Sequence, residues 1–180
     1  GAAYTGPQYT IGIVQFDNKA PAKVTGIGEA AATILRTQLE TAGLQAILLD
    51  EGALKEADKF TTLQKAGIIK VGGKDASAGF DALDYRLSGA ITAYSEVEEG
   101  VDAIVFQKKS TVARVTVDYA LIDIATGKPL VAESGAGEYR KTTTGALGLG
   151  SKSSFDANLR DGALRDALAK ATEKVIKKLS

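Results

Sequence analysis

Cysteine, histidine, methionine and tryptophan are all absent from this chain of 180 residues. Without Cys, no disulfide and no thiolate metal site can form within it. Without His, the commonest metal ligand and the usual acid–base group near neutral pH are missing. A Ser-His-Asp triad and a Cys-His pair are therefore both excluded. Ser-Lys or paired-carboxylate chemistry remains open on composition alone. Net charge is missing too, because 22 Lys and Arg balance 22 Asp and Glu. A nucleic-acid binder shows a basic excess or stripe, and a membrane-surface helix clusters Lys/Arg beside bulky apolar residues. Neither pattern is present, so no nucleic-acid partner is expected. No apolar run approaches the roughly 18–20 residues of a membrane-spanning helix. The lack of Met at position 1 predicts a processed or trimmed chain, with any signal peptide or lipid anchor upstream.

What is present is an ordinary globular mixture, 44% hydrophobic and 24% charged, enough for a core. Residues 9–16 (YTIGIVQF) read as a buried strand between Gly6-Pro7 and Asp17-Asn18. Residues 26–42 place Ile27, Ala31, Ile34, Leu35, Leu39 and Ala42 at helical spacing, with Gly43 as the stop. Residues 45–49 read as a second strand, 53–65 as a helix, 68–71 as a short apolar piece and 72–79 as a loop. Residues 86–95 read as a strand. Residues 112–124 give the clearest alternation, with Val115, Val117, Tyr119 and Leu121 on one face. A turn at 125–128 returns the chain along 130–139, and residues 141–154 read as a Gly/Ser/Thr-rich loop. Residues 162–179 form an amphipathic helix with Leu164, Leu168, Ala171, Val175 and Leu179 in one stripe. The expected fold is α/β: one mixed sheet with an N-terminal β-α-β-α part, an antiparallel hairpin part and a C-terminal helix packed on the sheet. One domain over 1–180 is expected, with 1–8 a flexible extension.

Four stretches carry residue types that could support chemistry. Lys152 lies between Ser151 and Ser153, but no third group is specified to orient a nucleophile. In residues 145–153 (GALGLGSKS), Ser151 follows Gly150, so Lys152 falls one place late for a phosphate loop. Gly72-Gly73-Lys74 is followed by Asp75, not by the hydroxyl residue such a loop needs. Glu96, Glu98, Glu99 and Asp102 surround Gly100 without the spacing of a calcium-binding EF-hand, and read as a solvated hairpin tip. No catalytic, cofactor-binding or metal-binding residue is assigned, no cofactor is expected, and the chain is not expected to be an enzyme.

Four segments, taken in order, resemble the CsgG family of outer-membrane lipoproteins, the curli production assembly/transport components. They are IGIVQFDN (11–18) with VTGIGEAAATILRTQLETAGLQAILLDE (24–51), LSGAITAYSEVEEG (87–100), VDYALIDIATGKPLVAESGAGE (117–138) and the helix at 162–179. The resemblance implies a periplasmic, non-enzymatic domain tethered to the outer membrane through an upstream lipidated Cys. It implies a role in the assembly or secretion of surface protein fibres or adhesive material, through protein partners and self-association into a ring. The related LpoB-type domains imply an alternative, a protein that binds and regulates a cell-wall synthase. Pore-forming members insert two β-hairpins per subunit. A membrane strand needs about 9–11 alternating residues, and the equivalent stretches here, 96–111 and 141–156, are too polar. The chain is therefore expected to lack the membrane hairpins.

Overall fold

A computed structural model describes residues 3–49, 83–102, 107–145 and 157–180. The expectations for residues 53–65, 68–71 and 72–79 lie outside the described residues. Six strands form one mixed sheet: β1 (Thr10–Val14), β2 (Asp17–Asn18), β3 (Gln45–Leu49), β4 (Tyr85–Asp102), β5 (Gln107–Asp123) and β6 (Pro129–Gly145). The order is β3-β1-β4-β5-β6, with β2 beside β4. β1 runs parallel to β3 and to β4, while β4, β5 and β6 are mutually antiparallel neighbours. Among the described residues two helices, α1 (Ile27–Thr41) and α2 (Ala157–Leu179), accompany the sheet in an α/β fold.

The α1 stripe Ile27, Ala31, Leu35 and Leu39 is fully buried. It recurs every four residues, so one helical face meets the sheet. The stop is a Schellman motif. Gly43 has φ 104°, its N–H donates to the Glu40 carbonyl, and the Leu44 N–H reaches back to that of Leu39. α2 buries Leu164, Leu168, Ala171 and Val175 completely, against β5, β6 and α1. Burying a Leu side chain is worth about 1.5–3 kcal/mol, so this stripe is spent on the molecule's own core. From the strands, Ile11, Ile13, Leu87, Ile91, Val117 and Leu121 fill the other side of that core. A smaller cluster of Leu49 and Leu83, with Val14 and Ile124 packed on it, lies apart.

The segment before β1 is docked at Tyr4. That side chain is buried, its N–H donates to the Ala42 carbonyl, and its hydroxyl bonds to the carbonyls of Pro7 and Leu179. The chain thus enters the structure at the C-terminal ends of α1 and α2.

The largest departure from the sequence reading is strand length. β4 continues past residue 95 to Asp102, β5 begins at Gln107 and β6 runs on to Gly145. The first residues of the expected loop at 141–154 are therefore strand. The register is unbroken from Ala93↔Thr116 to Asp102↔Gln107 and from Val117↔Gly135 to Gln107↔Gly145. Val112, Ala113 and Val115 are still buried at its inner end, but from Thr111 outward polar pairs such as Ser110–Thr142 join the strands, so alternation of hydrophobicity could not reveal that end.

Candidate contact surface

The outer half of β4–β5–β6 is a three-stranded blade. β2 leaves β4 at Asn18↔Ile91, and a bulge between Ile91 and Ala93 follows at once. Bulges bend a strand and end its pairing. From Thr92 onward β4 pairs only with β5 among the described residues. Ser95 to Gly100 are all exposed, and so are Glu138 to Thr142 on the other side.

Polar pairs tie the three strands together. Arg140 Nη1 lies 2.8 Å from Glu99 Oε2, spanning β6 to β4 across β5. That hydrogen bond and charge hold the Glu99 carboxyl below the usual Glu range and push the Arg140 guanidinium up. Arg114 Nε lies 3.1 Å from Glu138 Oε2, and the Ser110 and Thr142 hydroxyls lie 2.9 Å apart.

At Gly137 β6 packs on α2 with no side chain between. A Cβ on Gly137 would overlap the Ala163 carbonyl oxygen and the Ala167 nitrogen, so the two backbones touch there. One turn earlier the Tyr139 ring lies on Gly162. Side chains of α2 then cap the strand's outer edge. Asp166 Oδ2 accepts the Glu138 N–H at 2.9 Å, and Lys170 Nζ donates to the Ala136 carbonyl at 2.8 Å. Lys174 pairs with Glu133 beside the buried Tyr119, whose phenol is pushed up chiefly by burial.

An open groove of about 680 Å³ follows the seam between α1 and α2, lined by Glu29, Thr33, Thr37, Arg160 and Arg165 among others. Arg160 bonds to Asp161 and to the Thr25 carbonyl, and Gln38 bridges the Arg165 carbonyl and the Thr172 hydroxyl. These bonds stitch the helices together and set up no nucleophile beside a base.

The sequence candidates fall as follows. Gly145 closes β6, while Ser151, Lys152, Ser153 and Gly72 to Asp75 lie outside the described residues. Glu96, Glu98, Glu99 and Asp102 stand on strand β4, not at a hairpin tip. The ladder continues past them, with Lys109 in register with Gly100 and Lys108 with Val101. Among the described residues no group of three or more acidic side chains is placed to hold a metal ion. The residues that the sequence reading missed are the small ones, Gly137 and Gly162. Their spacing repeats no pattern, because each answers a contact from another element.

Among the described residues the blade has no face for lipid. One face presents Glu96, Glu98, Thr111 and Lys141, and the other Glu99, Ser110, Arg140 and Thr142. A membrane strand needs an unbroken apolar side. No described helix is long and apolar enough to cross a membrane.

Fold and surface together define a mixed α/β domain with a polar antiparallel blade. The model of the family "Curli production assembly/transport component CsgG" matches residues 9–180, and the chain belongs to the CsgG family. No curated protein matches. Solved structures are similar at low identity. The PelC dodecamer of Paraburkholderia phytofirmans is 20% identical, covering 97% of this chain and 92% of that one, with a TM-score of 0.49. Lipoprotein GNA1162 of Neisseria meningitidis is 17% identical over 96% of this chain and 97% of that one, with a TM-score of 0.43. Protein XCC0632 of Xanthomonas campestris is 8% identical over 98% and 86%, with a TM-score of 0.47.

Proposed function

We propose that this chain is a non-enzymatic periplasmic domain, tethered to the outer membrane through an upstream lipidated Cys. It serves the assembly or secretion of surface protein fibres or adhesive material. It acts as one unit, by contact: with export components, and with further copies of itself in a ring. The observation that carries this reading is the family match over residues 9–180. Two features of the chain agree with it. Its composition lacks the residues of the commonest catalytic sets. Among the described residues it exposes a strand blade tied by polar pairs, a shape suited to partner contact and not to enclosing a substrate.

The test is capture from native envelope extract with the full-length lipoprotein as bait, after brief cross-linking. Fibre subunits or secretion components should be enriched over a bait of unrelated fold. Enrichment of a peptidoglycan synthase in their place would replace this reading with that of an LpoB-type regulator.

A further inference from the structure

We propose that the outer edge of β6 from Ala132 to Glu138 is a strand-accepting site for an extended segment of another protein, kept shut by two side chains of α2. The site stands apart from the self-association above, because its occupant is a lone segment and not a second copy.

Backbone direction locates the site. The Glu138 N–H and the Ala136 carbonyl bond to Asp166 and Lys170 of α2, so both point away from β5. β6 pairs with β5 in unbroken register from Ala132↔Ala120 to Glu138↔Arg114. In an antiparallel ladder every second residue turns its N–H and C=O to the same side. Ala132 and Ser134 therefore face outward as Ala136 and Glu138 do. Among the described residues the outward backbone groups of Ala132 and Ser134 have no partner. Their side chains are small and exposed, as is that of Ala136. A strand edge of this kind is a template for pairing with another chain. A pocket of about 260 Å³ opens at the same place, lined by Thr116, Ala136, Glu138, Asp166 and Lys170 among others.

The helix selects the occupant. α2 lies over β6, since the two backbones touch at Gly137. Two copies joined through this edge would set their β6 strands about 4.8 Å apart. Their α2 helices would then lie closer than the roughly 8–10 Å at which helices pack. A segment that carries no helix of its own meets no such clash. It is held through its backbone, with small side chains on the side toward Asp166 and Lys170. The two caps give way without stranding a charge. Asp166 Oδ2 and Lys170 Nζ are already 3.7 Å apart, one helical turn from each other and exposed. When the entering strand gives a carbonyl to the Glu138 N–H and an N–H to the Ala136 carbonyl, the two caps pair with each other.

Backbone amide NMR of the whole chain tests this, in a titration with a short blocked peptide of alternating Ala and Thr. Shifts should be confined to β6 between Ala132 and Glu138, its partners on β5 and the caps on α2. Asp166→Ala removes one cap and should tighten binding about threefold or more. Asp166→Asn keeps an acceptor for the Glu138 N–H and should bind as wild type does. Ser134→Pro removes an outward N–H that β5 does not use, a change that an edge strand tolerates. It should abolish binding. The same peptide with its backbone N–H groups methylated should not bind the wild type, which keeps the test decisive should Ser134→Pro fail to fold. Circular dichroism checks the fold of each variant. Binding seen only in the Asp166→Ala protein supports an edge held shut by its caps. Absence of binding to that protein, shifts centred elsewhere, or equal binding of the methylated peptide overturns the proposal. The same amides shifting with protein concentration alone, and not with peptide, overturn it in favour of a second copy.

Discussion

At Gly137 the backbone of β6 lies directly against the backbone of α2, and at Gly162 the backbone of α2 lies under the Tyr139 ring. The two sites differ in what can yield. A methyl at 137 meets a carbonyl oxygen and a main-chain nitrogen, which move only if the helix moves. A methyl at 162 meets the root of the Tyr139 ring, so room is made only by turning that 41% exposed side chain about its first torsion. Gly137→Ala should therefore cost about 1–3 kcal/mol, the range of overpacking. Gly162→Ala should cost less, because an Ala within a helix regains about 0.5–1 kcal/mol over Gly and so offsets part of the cost of turning the ring. Urea denaturation of both variants checks this, and equal losses would contradict the packing described. Gly43 was legible in the sequence because a helix stop is a local requirement. Gly137 was not, since its requirement comes from a helix far along the chain.

At the scale of elements, legibility followed burial. The α2 stripe and the inner half of β5 show their periods because one face of each is buried, and both were readable as written. Beyond Val112 the outer blade presents polar side chains on both faces, so its strands carry no period there and read as unassigned chain or loop. Its coherence depends instead on pairs such as Glu99–Arg140. The folded Glu99 carboxyl titrates below its unfolded value, so its contribution is present at neutral pH. That contribution fades as pH falls through the folded value. Carboxyl NMR titration should place Glu99 below an ordinary Glu, and Arg140→Gln should return it to the ordinary range. An unchanged Glu99 in that variant would show that the guanidinium is not what holds it down.

For the whole molecule, the sequence order of elements predicted a mixed sheet with helices, and the family resemblance agrees with the match over residues 9–180. The mutual arrangement was harder to read. The chain enters beside the C-terminal ends of both helices, at Tyr4 and Leu179, whereas the blade extends past the N-terminal end of α2, beyond Tyr139 and Gly162. Tyr4 and the blade thus occupy opposite ends of α2. That geometry depends on contacts between distant segments, which no local pattern encodes.

On the function proposed above, this protein works by contact through the blade and not by chemistry. Complementation of a strain lacking the gene tests it most directly, with export of surface fibre or adhesive material as the readout. A full-length form with Ser151→Ala, Lys152→Ala and Ser153→Ala, which removes the remaining Ser-Lys grouping, should restore export as wild type does. A form with Glu96→Lys and Glu98→Lys, present at wild-type level in the envelope, should not. The reverse pattern, export lost with the first form and kept with the second, would contradict the account.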